Sequence, residues 1–461
     1  MRRAAAGVGA LLLGGCVYLN TLYNARTHFR EGERARLAGD RPAAEAEYQA
    51  ALEKAGRGFR KDSLGGWAYP ALLLVGQAHL RLGAPREARA ALERVVQSTP
   101  DTLVRREARL FLGAALVESG EYAPALQALN RSLTELPPGA QRGEAHLWRA
   151  RVHLAEGRVD QGWWDLERAV EEDGRLESAA HLERVRWALA SDDPARAAQG
   201  ARGLLRSPGS VPWLDSLAVL VRTAERVWSP EVAAGLLAAA RGAPLPPRPR
   251  DDLLLLRTGL LLAAGDTLAA ETELGAVAQD AGPGAAAARL SMAEVRARRV
   301  TELAGLDDVR RVLLPAASDS AVVGVLELLR VIELLVESGD GPFPARFAAA
   351  ELARDRLGAR ELARALFRQA ARDTTGGPWR GKAALAAAAL GDDTAAGEEV
   401  RLELLRGRDP YLARARNRYL PSDTLARLDG LLNARLDSVR GWAQAEARRR
   451  DVEVRSRAGR S

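Results

Sequence analysis

The sequence predicts an all-α protein built as an array of antiparallel helix pairs, a helix-hairpin solenoid. Three observations carry this. Good helix formers dominate a chain of 461 residues, aromatics make up only 5%, and period-two runs of Val, Ile and Thr are absent. Glycine and alanine recur at constant offsets over several consecutive segments. Proline, which ends helices, closes two of those segments at Pro100 and Pro137.

The first element is not part of the array. Arg2 and Arg3 precede an apolar or small stretch from Ala4 to Gly15. Its 12 residues fall short of the ~20 that a membrane-spanning helix needs. A basic start, a short apolar run and small residues at its end make residues 1–15 a secretory signal peptide. Leu13-Gly14-Gly15-Cys16 resembles the bacterial lipobox, and Cys16 is the one cysteine of the sequence. The resemblance implies that Leu13, Gly14 and Gly15 are the recognition residues and Cys16 the lipid site, so that the membrane is reached through an acylated cysteine. Several acyl chains hold a protein firmly where one holds it marginally. Val17 in place of aspartate after the cysteine points, in that family, to the outer membrane. A signal peptide that merely contains a cysteine, or a buried N-terminal helix, is the alternative. Acylation would leave no thiol for a disulfide or a metal site.

Residues 16–172 hold the lipidated N-terminus and about four repeats. A small residue stands seven positions before a turn glycine, and another small residue five after it: Gly32, Gly39, Ala44; Gly76, Gly83, Ala88; Gly113, Gly120, Ala125; Ala150, Gly157, Gly162. Successive turn glycines lie 44, 37 and 37 residues apart. The first small residue lets helix A approach helix B. The turn glycine ends helix A in a left-handed conformation. The third anchor sits where the helices cross, and Tyr48, Leu92, Leu129 and Leu166 follow one helical turn later. The pattern resembles the tetratricopeptide repeat, which implies a right-handed superhelix. The aromatic that this family carries at the first helix A anchor is replaced by His28, Leu72, Arg109 and His146. The longer first interval holds an insertion, residues 56–67, that reads as a loop.

Beyond this array the repeats diverge. Residues 173–249 keep a turn with Ala197; residues 250–340 keep Gly265 and Ala270; residues 341–421 keep Gly358, Ala363, Phe367, Gly391 and Ala396. Proline-rich breaks at 242–250 and 338–345 read as hinges. Residues 324–339 read as a buried helix. Residues 422–461 read as a capping helix and a basic, frayed tail.

The formal charge is +7 and nearly all cations are arginine, with lysine at positions 54, 61 and 382 alone. The charge suits anionic lipid or acidic partners; a secreted lipoprotein would meet no nucleic acid. Gly376, Gly381 and Lys382 copy P-loop spacing, but Ala383 stands where Ser or Thr must bind magnesium, and the preceding segment is helical. His146 and His153 lie seven apart rather than at the i, i+4 spacing of helical metal pairs. Trp163 and Trp164 read as packing residues. No cofactor, metal or catalytic constellation is expected, and the chain is read as no enzyme.

The repeat resemblance implies a concave surface lined by helix A. Its residues would be Phe29, Leu73, Leu110 and Leu147 in one row and Leu80, Val117 and Leu154 in a second. Gln77, Arg81, Glu118 and Arg151 would add polar contacts. The leucines either line this groove or pack between repeats. The layout, a lipobox followed by helical repeats over residues 13–170, is similar to that of the short helical lipoproteins of the outer-membrane barrel-assembly machinery. It implies a lipid-anchored scaffold for envelope proteins or peptides, facing the periplasm. The alternative is a cell-wall or export component whose C-terminal half binds peptidoglycan, polysaccharide or a regulated enzyme, with Trp379 as the candidate aromatic.

Overall fold

The computed structural model describes residues 21–36, 40–280, 282–337, 343–415 and 422–458. No strand occurs among the described residues. The chain is a succession of antiparallel helix hairpins of the tetratricopeptide type, divided into two units at Ala264 and Gly265. Residues 1–15, which the sequence suggests as a signal peptide and which include Leu13, Gly14 and Gly15, lie outside the described residues, as do Cys16 and Gly39.

The first unit contains α1 (21–36), α2 (Arg41–Lys61), α3 (Ala68–Arg81), α4 (Pro85–Ser98), α5 (Thr102–Glu118), α6 (Tyr122–Glu135), α7 (Ala140–Ala155) and α8 (Val159–Glu172). It continues through α9 (Glu177–Ala190), α10 (Pro194–Arg206), α11 (Leu214–Val227), α12 (Pro230–Leu236) and α13 (Pro247–Ala263). Gly83, Gly120 and Gly157 have φ of 73°, 75° and 74°, the left-handed region that glycine enters without strain. The next N–H then reaches back to the last turn of helix A: Ala84 to the His79 carbonyl, Glu121 to Leu116, Arg158 to His153. This closure satisfies the orphan carbonyls of the helix end. In the fifth pair Asp192 takes the left-handed position, at φ 56°.

The small residues allow close approach. A methyl at Gly76 would stand 2.5 Å from Leu92 Cγ, one at Gly113 2.7 Å from Leu129 Cγ, and one at Gly32 2.8 Å from the Tyr48 ring. Leu92, Leu129 and Leu166 are fully buried, as are Ala88, Ala125 and Ala150. Helix A anchors that lack an aromatic are tied by charge instead. His28 meets Glu47, Arg109 meets Glu135 and His146 meets Asp165, each time on helix B of the same repeat.

Residues 56–61 are not a loop. They extend α2, because Phe59 packs against the core of the second repeat and under the Arg94 guanidinium, 5.1 Å away. The proline-rich 242–250 segment runs into a helix, with Pro247 at the first position of α13, where its missing N–H costs nothing.

The second unit contains α14 (Thr267–Gln279), α15 (Ala285–Ala297), α16 (Leu306–Leu313), α17 (Ser320–Glu337), α18 (Phe343–Asp355), α19 (Arg360–Arg372), α20 (Arg380–Ala389), α21 (Ala395–Arg406), α22 (Pro410–Ala415) and α23 (Ser422–Ala458). Gly265, Gly358 and Gly391 are left-handed turn glycines, and Ala270, Ala363 and Phe367 are fully buried. Ala396 is exposed, in contrast to its expected role. The turn after Gly391 is longer, Thr394 caps α21, and Gly397 takes the buried small-residue position. Phe343, Phe347 and Phe367 form the aromatic centre, with ring centroids 5.5 and 5.2 Å apart. α17 buries Leu329, Val331, Ile332, Leu334 and Leu335, as its apolar sequence predicts. α23 covers α17 and α18 with Leu432, Leu436, Ala443 and Ala447, and its helical backbone continues to Ala458 rather than fraying at the arginines. Among the described residues no helix is long and apolar enough to cross a membrane.

Candidate functional site: the helix A wall of the first unit

In the first unit the A helices α3, α5, α7 and α9 lie side by side, and their outward residues form one wall. The sequence placed an apolar row on that wall, and the structure packs it inward. Leu73, Leu110 and Leu147 are buried between repeats and present no open apolar surface. Phe29 is half-buried against Tyr48, with centroids 5.5 Å apart. Leu80, Val117 and Leu154 lie just under the surface.

The polar residues of the wall form a ladder between repeats. Arg81 donates to Glu33 Oε1 on α1 at 2.8 Å and to Glu144 Oε1 on α7 at 2.9 Å, so it ties three repeats. Its guanidinium also faces the Phe111 ring. Burial opposes its charge, but Glu144 and Glu33 outweigh this and hold Arg81 above the ordinary arginine range. Burial likewise raises the Glu33 carboxyl, yet Arg81 and Arg36 pull it down to about 2. Arg81 is therefore a structural tie, not the exposed contact the sequence predicted. Gln77 donates to Glu107 Oε1 at 2.7 Å. Burial pushes the Glu107 carboxyl up against that hydrogen bond. Arg151 stacks on Trp148, 4.2 Å from the ring centroid, and donates to Glu183 at 2.8 Å and Glu118 at 3.3 Å.

Where α5, α7 and α9 meet, the wall opens into a hollow of about 290 Å³. Four predicted residues come together there: Val117, Glu118, Arg151 and Leu154. Sequence reasoning missed Tyr122, Glu183, Arg186 and Trp187, which complete it. Glu183 had a faint signal. It lies 32 residues after Arg151, much as Glu107 lies 30 after Gln77, and both pairs join neighbouring A helices.

A second hollow, of about 520 Å³, lies among α6, α7 and α8 beside Asp165. His146 Nδ1 and Arg149 Nη2 both donate to Asp165 Oδ1 at 2.7 Å, and Arg149 Nε donates to Oδ2 at 2.8 Å. His153 Nε2 stands 3.6 Å from Oδ2. Burial raises the Asp165 carboxyl, but the His146 and Arg149 hydrogen bonds bring it below its ordinary value. Burial lowers the His153 imidazole, against the attraction of Asp165. Both oxygens of Asp165 are thus engaged in holding α7 to α8. Trp163 packs edge-on to Trp187, while Trp164 stays half-exposed at the rim. Among the described residues no group of three or more His, Cys, Asp or Glu is placed to hold a metal ion.

In the second unit the P-loop-like stretch is a turn leading into α20. Gly376 packs on Phe343, and Lys382 Nζ donates to Asp429 Oδ1 at 2.6 Å. Trp379 is buried, stacked on Phe343 and donating Nε1 to the Leu428 carbonyl at 3.1 Å. It offers no exposed aromatic face to a glycan.

No family model matches the chain, and no curated relative matches it. Among solved structures the chain is similar to MamA, at 16% identity over 39% of this chain and 96% of that one, with a TM-score of 0.27. It is similar to a tetratricopeptide repeat protein from Parabacteroides merdae ATCC 43184, at 15% identity over 55% and 92%, TM-score 0.30. It is also similar to the TPR domain of P58(IPK), at 13% identity over 79% and 98%, TM-score 0.22.

Proposed function

We propose that this protein is a non-enzymatic scaffold, held at the periplasmic face of the outer membrane by an acylated Cys16, that receives a protein partner on the helix A wall of its first unit. The hollow between α5, α7 and α9 carries this reading. Its lining combines buried apolar residues, Val117, Leu154 and Trp187, with exposed charges at the rim, Glu118 and Arg186, and with Glu183, which is buried and paired to Arg151 and Arg186. An apolar centre within a polar rim is the layout of a protein interface. Its size suits one large anchoring side chain rather than a cofactor. The flanking charges, of both signs, would select the residues on either side of that anchor.

A photo-crosslinking residue placed at Glu118 or at Arg186 should capture one envelope protein in intact cells, and the same residue at Arg131, exposed on α6, should not. The captured protein, purified, should bind the intact chain directly. Capture of an identical set of proteins from all three positions would remove the hollow as the binding surface. Membrane attachment is tested separately: Cys16→Ser should release the chain from washed membranes, and retention would remove the lipid anchor.

A further inference from the structure

α1 and α2 run antiparallel, so the start of α1 and the end of α2 share one end of the first repeat. His28 meets Glu47, Gly32 faces Tyr48, and a methyl at Gly58 would stand 3.7 Å from Thr21 Cγ2. That end displays large apolar side chains. Leu64 is 97% exposed, Tyr23 63% and Trp67 43%. α3 and α4 carry the chain away and back, so Leu103, 69% exposed in the first turn of α5, lies at the same end. Singly exposed apolar residues are ordinary on a soluble surface, but a group of them gathered at one end is not. α2 closes with Arg60 and Lys61, both exposed, and the neighbouring Asp62 accepts the Gly65 N–H at 2.7 Å.

Five residue-to-residue steps, through four intervening residues, join Cys16 to Thr21. Fully extended they span at most roughly 18 Å. We propose that this end is a membrane-docking edge that lies on an anionic phospholipid surface, with Leu64 and Trp67 in the headgroup boundary and Arg60 and Lys61 on the phosphates. The proposal rests on the acylation of Cys16. Tryptophan and tyrosine favour the headgroup level, and arginine and lysine beside them gain from anionic lipid. An acyl anchor on a short tether leaves orientation free. A second, surface-read contact sets it, and would hold the helix A wall at a constant angle to the bilayer.

The experiment uses the full-length acylated protein on vesicles of phosphatidylethanolamine and phosphatidylglycerol. Once Cys16 is acylated the chain has no free thiol, so Leu64→Cys and Arg86→Cys each introduce one. Arg86 is exposed at the opposite end, in the first turn of α4. A polarity-sensitive fluorophore at Leu64→Cys should shift to the blue on the vesicles and be quenched by brominated acyl chains. The same dye at Arg86→Cys should do neither. Adding Arg60→Glu and Lys61→Glu should abolish the quenching at Leu64→Cys while the protein still floats with the vesicles. A floating protein with both dyes in water overturns the docking edge and leaves the anchor standing. A protein that does not float overturns the anchor, and the edge with it. A Leu64→Cys dye already shielded before vesicles are added assigns the patch to a second copy of the chain, and overturns the proposal.

Discussion

His146 Nδ1 donates to Asp165 Oδ1 at 2.7 Å, across 19 residues of sequence and with both side chains buried. His28 and Glu47 repeat the arrangement at 2.6 Å and the same separation, three repeats earlier, but with each side chain about a third exposed. A histidine–carboxylate pair thus clamps helix A to helix B at the first helix A anchor, where the sequence replaces the aromatic of the repeat pattern by histidine.

The two pairs should differ in worth. Asp165→Asn keeps the volume but leaves His146 and Arg149 facing a neutral group, and removing one member of a buried pair costs ~3–5 kcal/mol. Glu47→Gln acts on a partly solvated pair and should cost about 1 kcal/mol or less. Urea midpoints of the two variants check this. Equal losses would mean that burial is not what sets the strength of the clamp.

The packing glycines give a second prediction. Gly76→Ala and Gly113→Ala each drive a methyl into a buried leucine, so each should lower stability by ~1–3 kcal/mol, typical of overpacking. Gly235→Ala, with open space around its Cβ position and an ordinary helical backbone, should be neutral or slightly stabilising. Thermal melts of the three variants decide. A harmless Gly76→Ala would refute the close helix A–helix B approach.

These two cases show what could be read from the sequence. Turn glycines and packing glycines answer to backbone geometry within a single hairpin, so their spacing reveals them: Gly83 is left-handed and Gly76 faces Leu92 where the offsets placed them. The extension of α2 through residues 56–61 could not be read, because it depends on Phe59 finding a pocket in the next repeat. The burial of Leu110 and Trp379, and the tie of Arg81 to Glu144 63 residues away, likewise depend on neighbouring repeats. Val117, Glu118, Arg151 and Leu154 were found because they share helix A positions. Trp187 was missed because it lies beyond the last clear repeat.

A third prediction concerns acid. Burial holds the His181 imidazole near 4, well below its ordinary value of 6.5, with Arg184 nearby adding to the effect. Between those values the unfolded chain binds a proton that the folded one refuses. This contribution is therefore complete above pH 6.5 and is lost as pH falls toward 4. With solvent screening allowed for, the loss should be about 2 kcal/mol. The Glu33 carboxyl, held near 2, removes stability at lower pH, from about 4.5 downward. His181→Gln should flatten the stability profile between pH 6.5 and 4 and leave the lower limb in place. An unchanged upper limb would show that another group sets it.

The fourth prediction separates binding from folding on the helix A wall. Arg81 cannot serve as a neutral probe, since its side chain is only 13% exposed and bridges two carboxylates. Arg81→Glu would gather three carboxylates with no cation between them and should cost ~3–5 kcal/mol, as breaking a buried ion pair does. Arg186 is different. It stands at the rim of the hollow with its side chain 51% exposed, paired to Glu183 one helical turn away. Arg186→Glu takes one of two arginines from the buried Glu183 and sets a like charge beside it, but Arg151 still pairs Glu183, so the variant should cost only about 1 kcal/mol, well below Arg81→Glu. If a partner's anchoring side chain enters the hollow, the reversed charge meets it at the rim, and affinity should fall at least tenfold, or about 1.4 kcal/mol. Titration calorimetry with the purified partner measures this, with Arg131→Glu on α6 as the control that alters charge equally but away from the hollow. Equal weakening by both variants would reduce the effect to net charge. Weakening by neither would take the partner off this wall and leave the ladder of Arg81, Gln77 and Arg151 with the structural task of joining repeats.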